Sequence, residues 1–262
     1  MVRNRLPIPC LAALAILLLL IPALALAQDA TTKVEHFKVY NTHGPTAPLP
    51  PVYLYDQFVG EFVQILFLDR FANPVNKNNE GLTDTTTHLS WWRIDHPEPS
   101  RHILVTNQFG QDQEWFLGDA RWLLAPALKN PQPGPVPPDP PSTINHFKCY
   151  DAKGAPLFKP VDLEDQFGHR TAVVDTPVCF CNPVEKDLPD GIRYPILDPI
   201  THLACYRIDP MLFYGITVLI RDQFFFGPIY LEDDCLLCVP SLKQEVVPTD
   251  PGTWGHVKAL YR

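Results

Sequence analysis

Six cysteines fall late in the chain, at Cys149, Cys179, Cys181, Cys205, Cys235 and Cys238, and three chemistries use such a set. Cys179-x-Cys181 followed by Cys235-x-x-Cys238 has the spacing of zinc ligands. Cys235-x-x-Cys238 alone has the spacing of a redox pair, and an even count in an exported chain reads as a disulfide framework. Zinc leaves two cysteines over. The redox reading lacks a following helix to lower a thiol pKa, since Val239-Pro240 continues irregularly. Disulfides are the expectation.

Other chemistry is sparse. The chain has no Gly-x-Ser-x-Gly, His-Glu-x-x-His or glycine-rich phosphate loop, and Ser90, Ser100, Ser142 and Ser241 sit in no nucleophile motif. Acidic clusters at Asp162-Glu164-Asp165 and Glu232-Asp233-Asp234 lack the loop spacing that wraps calcium. No catalytic, cofactor-binding or metal residue is assigned, and no cofactor is expected. Four tryptophans, Trp91, Trp92, Trp115 and Trp122, suit either core filling or, if they face solvent, the stacking of a sugar ligand.

These residues are positioned by a repeat. Four openings align: His36-Phe37-Lys38-Val39-Tyr40, His88-Leu89-Ser90-Trp91-Trp92, His146-Phe147-Lys148-Cys149-Tyr150 and His202-Leu203-Ala204-Cys205-Tyr206. Each is followed by a tripeptide: Asp56-Gln57-Phe58, Asn107-Gln108-Phe109, Asp165-Gln166-Phe167 and Asp222-Gln223-Phe224. The first and third units match without a gap from Asp56 and Asp165 to Lys77 and Lys186. The second and fourth share a Thr-His-Leu opening and a Leu-Lys end. In the tripeptide, Asp or Asn should cap a turn through its side chain while Phe enters the core. The four opening histidines should make structural hydrogen bonds rather than converge on a metal.

Repeat equivalence constrains the cysteines, because Cys149 corresponds to Cys205, Cys181 to Cys238 and Cys179 approximately to Cys235. The simplest pairing is Cys149 with Cys181, Cys205 with Cys238 and Cys179 with Cys235. A swapped pairing, Cys149 with Cys238 and Cys181 with Cys205, keeps the last bond.

Residues 1–27 carry Arg3 and Arg5, an apolar run and Ala25-Leu26-Ala27, the pattern of a cleavable signal peptide. The chain has 21 basic and 29 acidic residues; without Arg3 and Arg5 the balance is about −10, which excludes an electrostatic case for nucleic acid or an anionic membrane. The product is expected to be secreted or periplasmic and free of the membrane after cleavage.

Alternation such as Val161-Asp162-Leu163-Glu164 reads as half-buried strand, and thirty prolines leave little room for helices. The expectation is an all-β protein of two tandem small sandwich or barrel domains, each a pseudo-repeat of two three-stranded units. The first covers 28–130 and lacks cysteine; the second, disulfide-stapled, covers 143–262. Residues 131–142 between them are proline-rich and should form a stiff polyproline II spacer. Gly255 to Tyr261 resembles the opening strand of a fifth unit.

The HFKCY, DQFG and Leu237-Cys238-Val239-Pro240-Ser241 segments resemble a repeat of uncharacterised function in predicted secreted bacterial proteins, over Val34 to Lys243 apart from the linker. That resemblance implies export and repetition and carries no catalytic residues. The function expected is a non-enzymatic structural or binding module at the cell envelope or outside, with a glycan or an envelope protein as the class of partner. The alternative is a secreted hydrolase or carbohydrate-binding accessory protein.

Overall fold

The computed structural model describes residues 34–46, 49–130, 143–211 and 215–246. The first unit forms β1 (Phe37–His43), β2 (Val52–Tyr55), β3 (Gly60–Val63), β4 (Leu68–Pro74) and β5 (Asn76–Lys77). The second forms β6 (His88–His96), β7 (Arg101–Asn107) and β8 (Gly110–Asn130), and the third β9 (His146–Lys153), β10 (Lys159–Asp165), β11 (Gly168–Asp187) and β12 (Arg193–Tyr194). The fourth forms β13 (His202–Ile208), β14 (Ile216–Arg221) and β15 (Phe226–Glu245). The described residues are all-β, as the alternation requires: Val161 and Leu163 are buried while Asp162 and Glu164 face outward.

Each unit supplies an opening strand, a hairpin and a closing strand. The eight opening and closing strands pair antiparallel in chain order, β1–β4–β6–β8–β9–β11–β13–β15, and β15 returns to pair with β1. That is a closed ring with no free edge, the arrangement that removes the aggregation liability of an open sheet. Alternate side chains of all eight strands fill its interior. Phe37, Ala72, Leu89, Leu124, Phe147, Cys181, Leu203 and Cys238 belong to one buried cluster. The opposite faces of the same strands carry Tyr40, Trp92, Tyr150 and Tyr206 into a larger cluster beneath the hairpins.

The hairpins reach past their own unit. β2 of the first unit pairs with the end of β11 in the third, and β10 of the third pairs with β5 of the first. β7 of the second pairs with β15 of the fourth, and β14 of the fourth with β8 of the second. Each hairpin therefore seals the strand that closes the unit two places away.

The tandem two-domain arrangement is not confirmed. The halves on either side of the linker each supply four consecutive ring strands and meet at β8–β9 and β15–β1, and both contribute to both buried clusters. A half alone would expose two strand edges and an open interior, and closing four units together removes both. In three units the second hairpin strand and the closing strand run on as one long strand, β8, β11 and β15 at 21, 20 and 20 residues, whereas in the first they are the separate β3 and β4. The leader, the linker and the Gly255 to Tyr261 segment lie outside the described residues.

Candidate functional site

The four tripeptides sit at the hairpin turns, where the first side chain caps the turn. Asp56 Oδ1 accepts from Phe58 N at 2.9 Å, Asn107 Oδ1 from Phe109 N at 2.9 Å, Asp165 Oδ1 from Phe167 N at 3.1 Å and Asp222 Oδ1 from Phe224 N at 2.7 Å. The other atom of each head group turns to an opening strand two units away. Tyr150 donates to Asp56 at 2.7 Å, Tyr40 to Asp165 at 2.7 Å and Trp92 Nε1 to Asp222 at 2.8 Å, while Asn107 donates to Tyr206 at 2.9 Å. The turn phenylalanine meets the same aromatic edge-on, with centroids 5.2 to 5.5 Å apart in all four pairs. Burial, with the facing carboxylates, holds the Tyr40 and Tyr150 hydroxyls protonated far above the usual phenol range. Burial also raises the Asp222 carboxyl, against the pull of Ser90 and Trp92.

The second and third tripeptide residues touch the preceding unit. Gln108, Gln223 and Gln57 lie 3.4, 2.6 and 3.4 Å from Nε2 of His36, His146 and His202. Lys129, Lys186 and Lys243 place Nζ over Phe167, Phe224 and Phe58 at 4.2, 4.6 and 4.0 Å. The four histidines are spread around the barrel, one per unit. Burial lowers His88 to about 3 and His202 to about 4, and lowers His146 as well, so these three are neutral structural groups.

Two disulfides lie inside the ring: Cys149–Cys181 joins β9 to β11, and Cys205–Cys238 joins β13 to β15. These are the within-unit pairs expected from repeat equivalence. The expected third bond is corrected, since Cys179 and Cys235 are free. The register explains it. Val39 pairs with Leu236 and Tyr40 with Asp234, so Cys235 is the extra residue of a bulge, and its thiol faces Val39 O at 3.5 Å. Cys179, Cys181 and Cys205 bring their sulfurs within 4.8 Å of one another, but two of these are consumed in disulfides. Burial pushes both free thiols up to about 12, which leaves them without thiolate character.

The tryptophans are not available for stacking. Trp91, Trp92, Trp115 and Trp122 are at most 3 % exposed; Trp92 and Trp115 lie in the larger cluster, whereas Trp91 and Trp122 share the ring interior with the disulfides, Trp91 pairing with Leu124 at the register where Cys205 pairs with Cys238. A mixed cluster unforeseen in the sequence gathers Glu61, His96 and Glu98. Buried Lys148 already supplies its cation, donating to Glu61 and, at 2.8 Å, to Glu98. The two acidic clusters likewise meet a lysine, Asp165 and Asp234 both facing Lys38 at 3.0 and 3.9 Å.

A surface that departs from the repeat plan lies on the first hairpin. β3, β2, the end of β11 and β12 make a four-stranded outer sheet. Direct register opposition puts Phe62, Tyr53, Asp187 and Arg193 in one row, with Tyr55 and Glu185 adjacent in the next. Phe62 is 71 % and Tyr55 54 % exposed. Tyr53 and Phe62 meet edge-on at 5.0 Å, and the Tyr53 hydroxyl lies over Gly60, where a Cβ would come within 2.4 Å of it. Arg193 pairs with Glu185 and, at 3.6 Å, with Asp187. The signal for this surface was present in the alignment of units one and three. Val52 and Leu54 match Val161 and Leu163, but the outward Tyr53, Tyr55 and Phe62 stand where the third unit has Asp162, Glu164 and Thr171.

A comparison with protein families matches residues 88–240 to "Repeat of unknown function (DUF7450)". No curated protein and no solved structure matches the chain.

Proposed function

The chain belongs to this family of repeats of unknown function, and from that premise we propose that it is an exported, non-enzymatic module: a rigid barrel that presents a binding surface on its outer hairpins. The observation that carries this reading is the filled interior. Side chains from all eight ring strands, with both disulfides among them, occupy the space where a barrel of this size would otherwise hold a ligand. What remains for recognition is the outside, where four hairpins are held by reciprocal buried contacts and a ligand would meet pre-organised groups.

Export is supported by the leader pattern, by disulfides suited to an oxidising compartment, and by the lack, among the described residues, of any helix long and apolar enough to cross a membrane. A hydrolase would draw on Glu61 and Glu98, a pair of carboxylates that the fold gathers with His96. Lys148 lies between them and is wholly buried, so it occupies the space a substrate would need. The test is cell fractionation together with sedimentation of the purified protein with isolated envelope and polysaccharide fractions. The expected result is a chain beginning after Ala27 outside the cytoplasm, co-sedimenting with at least one fraction and releasing no product from it. A cytoplasmic chain, turnover of a polysaccharide, or no binding to any fraction would overturn the proposal.

A further inference from the structure

We propose that the outer face of β3, β2, β11 and β12 binds a neutral glycan chain, an inference that rests on the reading of the protein as a surface-binding module. The argument begins with an internal control. The first and third units build the same hairpin: β2 pairs with β3, and β10 with β11, through buried Val52, Leu54, Val161 and Leu163. The third unit does this with Asp162, Glu164 and Thr171 facing outward. Folding therefore does not require Tyr53, Tyr55 and Phe62 at those positions, although exposing Tyr55 and Phe62 beside the half-buried Tyr53 has a cost in water.

The polar groups identify the ligand. In a dry protein interface, apolar anchors sit at the centre and polar groups around the rim. Here Asp187 and Arg193 continue the same row as Phe62 and Tyr53, one residue per strand. A pyranose has this alternation in itself, with C–H faces that lie against aromatic rings and a rim of hydroxyls that both donate and accept. Asp187 pairs with Arg193 through its buried Oδ1, but its side chain as a whole is 41 % exposed, so the carboxylate offers an acceptor beside the rings. Arg193, 62 % exposed at its side chain, supplies the donors. Two carboxylates in the patch and a chain carrying a formal charge of −8 oppose anionic polymers and anionic bilayers. A neutral sugar chain lacks that repulsion.

The experiment uses the full chain in native affinity gels containing soluble β-glucan, xylan or mannan, with alginate as the anionic control. The variant carries Tyr55→Glu and Phe62→Thr, the residues that the third unit already tolerates, and thermal melting verifies its fold. The expected result is retardation by at least one neutral glycan, at least tenfold weaker in the variant, and none by alginate. Retardation that the variant leaves unchanged, or the absence of retardation in every neutral gel, would overturn the assignment. Self-association that the substitutions abolish, measured by sedimentation velocity without glycan, would equally overturn it in favour of a second copy as occupant. Binding of both wild type and variant to envelope fractions would refute this site while leaving the broader reading intact. If neither binds any fraction, the broader reading fails as well.

Discussion

Tyr150 donates a 2.7 Å hydrogen bond to Asp56, a residue 94 positions earlier in the chain, and Tyr40 makes the same bond to Asp165 across 125 positions. Each half of the molecule thus satisfies the buried turn carboxylate of the other. Tyr150→Phe removes a hydrogen bond to a charged group and should lower the unfolding free energy by about 2 kcal/mol. Tyr206→Phe removes only neutral amide contacts, those of Asn107 and Gln113, and should cost about 1 kcal/mol. Urea unfolding at neutral pH measures both, and a reversed order would contradict the charge-assisted assignment.

The reciprocity also governs fragments. Residues 28–130 made alone should lack the near-ultraviolet signature of packed aromatics, because Tyr40 loses Asp165 and β1 loses β15. The same holds for residues 143–262, which lose Asp56 as partner to Tyr150. Mixed together, the fragments should recover that signature. Independent cooperative melting of either one would show that a half-barrel suffices.

The two free thiols give a count. In a Cys10→Ser chain that is denatured but not reduced, a thiol reagent should find two groups, Cys179 and Cys235. In the native chain at pH 8, Cys179 should not react, since it is fully buried and its thiol is pushed up to about 12. A count of zero after denaturation would mean that these two had bonded to each other.

Stability should rise with pH between about 6 and 8. Burial lowers Lys186 to about 6, Lys129 to about 7 and Lys243 to about 8, whereas each would hold its proton to about 10.4 in the unfolded chain. Within that window the unfolded state binds more protons, so the slope is positive, about 1.4 kcal/mol per pH unit for each whole proton of difference. The trend saturates for each lysine as pH falls below its folded value. Lys186 Nζ has no hydrogen-bond partner, and Lys186→Met should flatten the slope. Denaturant titrations at pH 6, 7 and 8 decide the matter, and an unchanged slope in the variant would remove Lys186 as its source.

By itself the sequence determined the local rules. The period of two at Val161 to Glu164 made strands, the tripeptides made side-chain-capped turns with a half-buried aromatic, and unit equivalence narrowed the pairing of Cys149, Cys181, Cys205 and Cys238 to two symmetric alternatives, of which the structure holds Cys149–Cys181 and Cys205–Cys238. All of these depend on neighbours within one unit. Tertiary structure decided which unit meets which. Four similar units present similar edges, so nothing local distinguishes two closed pairs from one ring of four; the ring formed because it leaves no edge unpaired. The same closure buried Trp91, Trp92, Trp115 and Trp122, and a bulge at Cys235 kept it from Cys179. It also brought Asp187 and Arg193 of the third unit beside Tyr53 and Phe62 of the first. The outward tyrosines were readable as departures from the repeat, but their charged companions lie more than 120 residues away, and only the strand register places them in one row.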